Sequence, residues 1–97
     1  MSTSPIRLLI VDDHNLFRHG LIRILGDYAE LQIVGQAANG QDAVTLASQL
    51  QPDLVLMDVN MPLLSGPDAV RQIKGQHPTL PVVMLTVSER DEDLFDA

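Results

Sequence analysis

Short runs of consecutive apolar residues alternate along this chain with longer stretches in which apolar residues recur every three or four positions. The short runs are Ile6-Arg7-Leu8-Leu9-Ile10-Val11, Leu54-Val55-Leu56-Met57 and residues 81–86. All three read as strands; Leu54 to Met57 is apolar at every position, so both its faces are expected to be buried, and residues 81–86 are again apolar on both faces. Residues 31–37 form a more mixed strand, weakened by Gly35. Between the strands, residues 15 to about 27 carry Leu16, Phe17, Leu21, Ile24 and Leu25 near helical spacing, with Arg18 and Arg23 between them and Gly26 as a stop signal. Residues 41–50 place Ala43, Leu46, Ala47 and Leu50 on one helical face, and Pro52 ends that helix. A third helix starts near Pro67, buries Ala69, Val70 and Ile73, and closes at His77-Pro78. Ser88 caps a fourth, whose first turn holds Glu89, Asp91 and Glu92.

The order is strand–helix repeated four times, after a loose tail at residues 1–5 and with no linker inside 1–97. That alternation predicts one α/β domain, a mostly parallel sheet with helices on both faces joined by right-handed crossovers. The last helix shows only Leu94 and Phe95 of an apolar face before the sequence stops, which suggests a piece of a longer chain. A net charge of −7 disfavours nucleic acid and anionic membrane surfaces as partners of these residues. The absence of cysteine excludes disulfides and thiolate metal or redox chemistry. No signal peptide or membrane-length apolar run is visible, so the cytoplasm is the expected compartment.

Charge changes the picture most at the strand ends. Asp12-Asp13 follows the first strand, Asp58 ends the third, and Thr86 ends the fourth. In a parallel sheet these ends share one edge, outside which ligands bind. A carboxylate at the end of a buried strand is costly unless paired, so Asp58 is either a structural cap or the centre of a site. Three converging carboxylates repel one another unless a cation neutralises them, and an all-oxygen ligand set favours Mg²⁺ or Mn²⁺. Such an ion would hold a phosphoryl group beside Asp58 as a carboxylate nucleophile, with Thr86 donating a hydrogen bond. Each residue also has a plain structural use: Asp12 and Asp13 as helix-capping acids, Thr86 as a β-branched strand residue, Asn60 as a turn former. His14, His19 and His77 show no metal-ligand spacing and read as solvated or partly packed, and Lys74 as solvated.

The set Val11-Asp12-Asp13-His14, Met57-Asp58-Val59-Asn60-Met61-Pro62 with Gly66, and Leu85-Thr86 resembles the receiver domain of two-component response regulators. Phe17-Arg18-His19-Gly20-Leu21 and Val34-Gly35-Gln36-Ala37 with Asn39-Gly40 resemble its NarL/LuxR-type branch. The resemblance runs from Ile6 to Ala97. It implies a flavodoxin-like (CheY-like) three-layer α/β/α fold with strand order 2-1-3-4-5. It further implies that Asp58 accepts a phosphoryl group from a sensor histidine kinase and that Asp13, helped by Asp12, binds Mg²⁺. The backbone carbonyl of Asn60 would be a further metal ligand, and Thr86 would contact the phosphoryl oxygen and signal onward. Asn60 and Ser88 would tune the lifetime of the phosphoaspartate, and Pro62 and Gly66 would shape the loop.

The chain departs from the family where it stops. The fifth strand with its lysine and aromatic switch residue, the fifth helix, and the helix-turn-helix domain that would bind DNA are not in these 97 residues. Lys74 is the sole lysine. Residues 82–85 would then form an exposed apolar edge, predicting a homodimer or a strand-exchanged oligomer. Two other functions fit less well. A Mg²⁺-dependent aspartate-nucleophile phosphohydrolase needs a second acid where Asn60 stands. A receiver-like interaction module that is never phosphorylated would not need the full acidic set.

Overall fold

A computed structural model describes residues 4–58 and 66–85. In chain order the elements are β1 (Ile6–Val11), α1 (Asn15–Leu25), β2 (Leu31–Ala37), α2 (Gly40–Leu50), β3 (Leu54–Asp58), α3 (Gly66–Gln76) and β4 (Val82–Leu85). Among the described residues they form one parallel sheet of order β2-β1-β3-β4. That is the expected order for the first four strands. Ser88 and the fourth helix lie outside the described residues.

The central strands β1 and β3 explain the layering. Leu9 and Val11 on β1 and Val55 and Met57 on β3 alternate onto one face, where they pack with Ala43 and Ala47 of α2, Ala69 and Ile73 of α3, and Leu80. The small alanines let both helices lie close to the sheet. Leu8 and Ile10 point to the opposite face and are equally buried. There α1 packs on β1 and β2.

The helix ends follow local chemistry. Asn39 caps α2: its Oδ1 accepts from the Asp42 N–H at 2.8 Å, and its Nδ2 donates to Asp42 Oδ2 at 3.1 Å. Gln51 ends α2 in the left-handed region (φ 48°), one residue before the proline expected to stop it. The Arg7 guanidinium donates to the Leu50 and Gln51 carbonyls at 2.9 and 2.8 Å, so a β1 side chain closes the C-terminus of α2. Lys74, expected in solvent, instead donates from Nζ to the Leu80 carbonyl at 2.8 Å. That bond ties the last turn of α3 to the loop entering β4.

Two elements differ from the sequence expectation in an informative way. α1 ends at Leu25, with the Gly26 N–H closing on the Ile22 carbonyl at 2.8 Å. Its inner stripe is Arg18, Leu21, Ile22 and Leu25, while Leu16 is 89% exposed and Ile24 62%. The apolar pattern alone pointed to Leu16 and Ile24, because an arginine is not expected to face inward. β4 begins at Val82 rather than Pro81, which has no N–H to donate, although its carbonyl accepts from the Val55 N–H; Thr86 lies outside the described residues. Both faces of β4 are apolar, as expected, but they are buried unequally. Val82 and Met84 pack on the core, but Val83 lies on the α1 side, where that helix covers β1 and β2, and is 44% exposed.

Between Leu8 and Leu9 the β1–β2 register skips one residue of β2, so Leu8 faces Ile33 and Leu9 faces Gly35. A Cβ at Gly35 would come within 2.5 Å of Leu50 Cδ1, the far end of a flexible side chain. Gly35→Ala is therefore expected to cost about 1 kcal/mol and Gly35→Val about 1–3 kcal/mol, because the branched chain also displaces Leu9. Urea unfolding checks this, and equal stability of the two variants would contradict the close α2–β2 approach.

Candidate phosphoacceptor and metal site

The β1–β3 register builds the site. Val11 stands opposite Met57, so the next residues, Asp12 and Asp58, emerge side by side from the same end of the sheet. Both are buried, at 2% and 7% exposure. The Asp12 N–H donates to the Ala37 carbonyl at 3.0 Å, which continues the β1–β2 pairing past the end of β1. The chain then turns into α1: Asp12 Oδ1 accepts from the His14 N–H at 2.8 Å, an Asx-type turn. This turn directs Asp13 and His14 over the strand ends. One ligand atom each from Asp12, Asp13, His14 and Asp58 fall within 4.8 Å of one another.

The predicted convergence of Asp12, Asp13 and Asp58 is therefore present. Thr86, Asn60 and Pro62 lie outside the described residues. Asp13 Oδ1 is shut off from solvent and accepts no hydrogen bond of good geometry among the described residues. A buried carboxylate oxygen is costly unless a positive group faces it, a role open to a protonated His14 ring or to a bound cation. The carboxylate oxygens of Asp12, Asp13 and Asp58 fit a hard divalent ion.

Two residues of this site were not legible as such. His14, expected to be solvated or partly packed, is 68% exposed, yet it places Nδ1 3.1 Å from Asp13 Oδ1, 3.4 Å from Asp12 Oδ1 and 3.9 Å from Asp58 Oδ2. Arg18, expected between the apolar positions of α1, is buried at 8% exposure. Its Nη1 donates to the Asp12 carbonyl at 2.6 Å, its Nη2 to Asn15 Oδ1 at 2.7 Å and its Nε to Gln36 Oε1 at 2.8 Å. One planar group thus holds the end of β1, the first turn of α1 and β2 in fixed relation. The available signal was its spacing: Arg18 shares the helical stripe of Leu21, Ile22 and Leu25, six residues after Asp12.

Asp13 above all, with Asp12 and Asp58 behind it, raises the His14 pKa above its ordinary 6.5, while partial desolvation pulls the other way. A pKa raised on folding contributes stability that is complete below the unfolded value and is lost as pH rises through the folded one. The His14 side chain is 68% exposed, so solvent screens the effect and the change in global stability is small. The ring itself is the better readout. An NMR titration of metal-free protein is expected to give His14 a midpoint above 6.5, shifted back toward that value in Asp13→Asn. A native midpoint at or below 6.5 would contradict the geometry.

Comparison with known proteins agrees with this arrangement. Residues 8–97 match the response regulator receiver domain family. The chain is 49% identical over 86 residues to the response regulator GacA of Pseudomonas viridiflava, covering 89% of this chain and 40% of that protein. It superimposes on the signal receiver domain of the putative response regulator NarL from Mycobacterium tuberculosis with a TM-score of 0.83 at 28% identity, covering 89% of this chain and 69% of that one. It also matches a chain of the CheX–CheY–BeF3–Mg²⁺ complex from Borrelia burgdorferi, with a TM-score of 0.80 at 27% identity, covering 86% and 63%. The chain thus spans less than half the length of the GacA protein it matches. The sheet order, the paired strand-end carboxylates and the match over residues 8–97 together make this chain a member of the response regulator receiver domain family.

Proposed function

We propose that Asp58 is the phosphoacceptor of this receiver domain, taking its phosphoryl group from the phosphohistidine of a sensor kinase. The observation that carries this is the burial of Asp58 at the end of β3 with Asp12 and Asp13 beside it. A carboxylate oxygen of Asp58 attacks phosphorus, an acyl phosphate P–O bond forms, and the P–N bond breaks with its electrons returning to the imidazole nitrogen of the kinase. Bound among Asp12, Asp13, Asp58 and the Asn60 carbonyl, Mg²⁺ or Mn²⁺ would supply charge compensation for the phosphoryl oxygens. The similar chain from Borrelia burgdorferi belongs to a CheX–CheY complex containing both BeF3 and Mg²⁺, which supports this reading. Asp12 and Asp13 hold the site's negative potential, and the Arg18 clamp fixes the turn that aims them.

Thr86 then hydrogen-bonds the phosphoryl group and passes the change to neighbouring elements. The parent protein turns it into transcriptional control through a DNA-binding domain beyond this chain, in the cytoplasm. The domain occupies residues 1–97, with 1–5 as a tail. It is a substrate of phosphotransfer rather than a turnover enzyme. Among the described residues no helix is long and apolar enough to cross a membrane.

Lys74, the sole lysine, is engaged on α3 by the Leu80 carbonyl and lies away from this cluster in the chain. The phosphorylation test therefore belongs in a longer chain that supplies the family's fifth strand. With Mg²⁺ and a small phosphodonor, or with beryllofluoride, such a chain is expected to show a mass or spectral change that Asp58→Asn abolishes. No change in the native longer chain would sink the phosphoacceptor reading.

The isolated 97-residue chain carries a second expectation. Among the described residues β4 pairs with β3 on one side only, and Val83 is exposed. An apolar edge strand recruits another strand. Light scattering after size exclusion is expected to give a mass rising with concentration above 10.6 kDa. A constant monomer mass at high concentration would exclude pairing or exchange through β4.

A further inference from the structure

We infer that His14 is itself a ligand of the divalent-cation site and tilts that site from Mg²⁺ toward first-row transition dications. This rests on the metal reading above and concerns a residue to which that reading gives no part. His14 Nδ1 lies 3.1, 3.4 and 3.9 Å from single oxygens of Asp13, Asp12 and Asp58, and one ligand atom from each of the four residues falls within 4.8 Å of the others. A six-coordinate ion with ligands at about 2.1 Å separates adjacent ligand atoms by about 3.0 Å and opposite ones by about 4.2 Å. The four atoms thus already have the spread that one small cation spans, and contraction by a few tenths of an ångström completes it.

The imidazole is available for this role. His14 stands at the N-cap of α1 but makes no side-chain capping bond, so its ring is not spent on the helix. The Asx turn at Asp12 instead holds its backbone, and with it the ring, over the carboxylates. Asp13 Oδ1, shut off from solvent, is the closest of the three oxygens to Nδ1, so ring and carboxylate already face one another as two ligands of one ion would. Mg²⁺ is hard, keeps its waters and gains little from imidazole. Mn²⁺, Co²⁺ and Ni²⁺ accept a nitrogen ligand increasingly well. Adding His14 to an otherwise all-oxygen set therefore changes which ion the site prefers.

The rival reading makes His14 a cationic stand-in that any metal must displace, and it predicts the opposite sign. Calorimetric titration with MgCl₂, MnCl₂ and NiCl₂, at a pH well above the imidazole pKa, separates the two. The protein carries His19→Ala and His77→Ala so that no other imidazole contributes, and circular dichroism confirms that each variant is folded. His14→Ala and the more conservative His14→Gln are expected to weaken Ni²⁺ at least about tenfold and Mn²⁺ less, with Mg²⁺ nearly unchanged. Mn²⁺ should also broaden the His14 ring signals before those of any other side chain outside the acidic cluster. If removing His14 leaves the ion ranking unchanged, or strengthens all three ions alike, His14 is no ligand and this inference fails while the metal site stands. If none of the ions binds the parent protein, the metal reading itself falls.

Discussion

The pairing register of β1 with β3 is the constraint on which the site depends. Val11 opposite Met57 places Asp12 beside Asp58, and a slip of one residue would turn a carboxylate into the core and an aliphatic chain toward the site. What fixes the register is burial on both faces. Leu9, Val11, Val55 and Met57 interlock with the alanines and Ile73 of α2 and α3, while Leu8 and Ile10 are enclosed on the opposite face. No single hydrogen bond of the ladder could hold the site so firmly, because the ladder is indifferent to which side chains it aligns. The core thus acts as the positioning device for groups it does not touch.

Charge is handled by a different principle at the two ends of the sheet. At the N-terminal end Arg7 is committed to the Leu50 and Gln51 carbonyls, and its own N–H to Asp53. At the C-terminal end Arg18, six residues after Asp12, bonds the Asp12 carbonyl rather than a carboxylate. A guanidinium that paired directly with Asp12 or Asp13 would compete with any incoming cation. By binding backbone and amide oxygens it stiffens the turn and leaves the carboxylates their charge. The negative potential of the cluster is therefore preserved beside a fixed positive group.

Much of this was legible in sequence because its physics is local. The strands 31–37 and Leu54–Asp58 have the expected bounds, since apolar runs that end in a carboxylate or a turn leave little choice. The convergence of Asp12, Asp13 and Asp58 followed from the parallel sheet alone. Arg18 and His14 were not legible, because residue class says where a side chain is usually found and not which carbonyl or carboxylate it meets after folding. The same limit misplaced Lys74 in solvent and Leu16 and Ile24 on the inner face of α1. In each case a hydrogen bond formed only on folding, or the lie of one helix across the sheet, outweighed the periodic pattern.

The Lys74–Leu80 contact has a consequence for how the fold can be observed. The chain has one lysine and no tryptophan, so it carries a single side-chain amine and few optical reporters. While Nζ donates to the Leu80 carbonyl it is half-buried and held. An acylating reagent must wait until the last turn of α3 lifts away from the loop entering β4. The rate at which that amine is modified is then a clock for local opening along the outer strand, read by mass at one position.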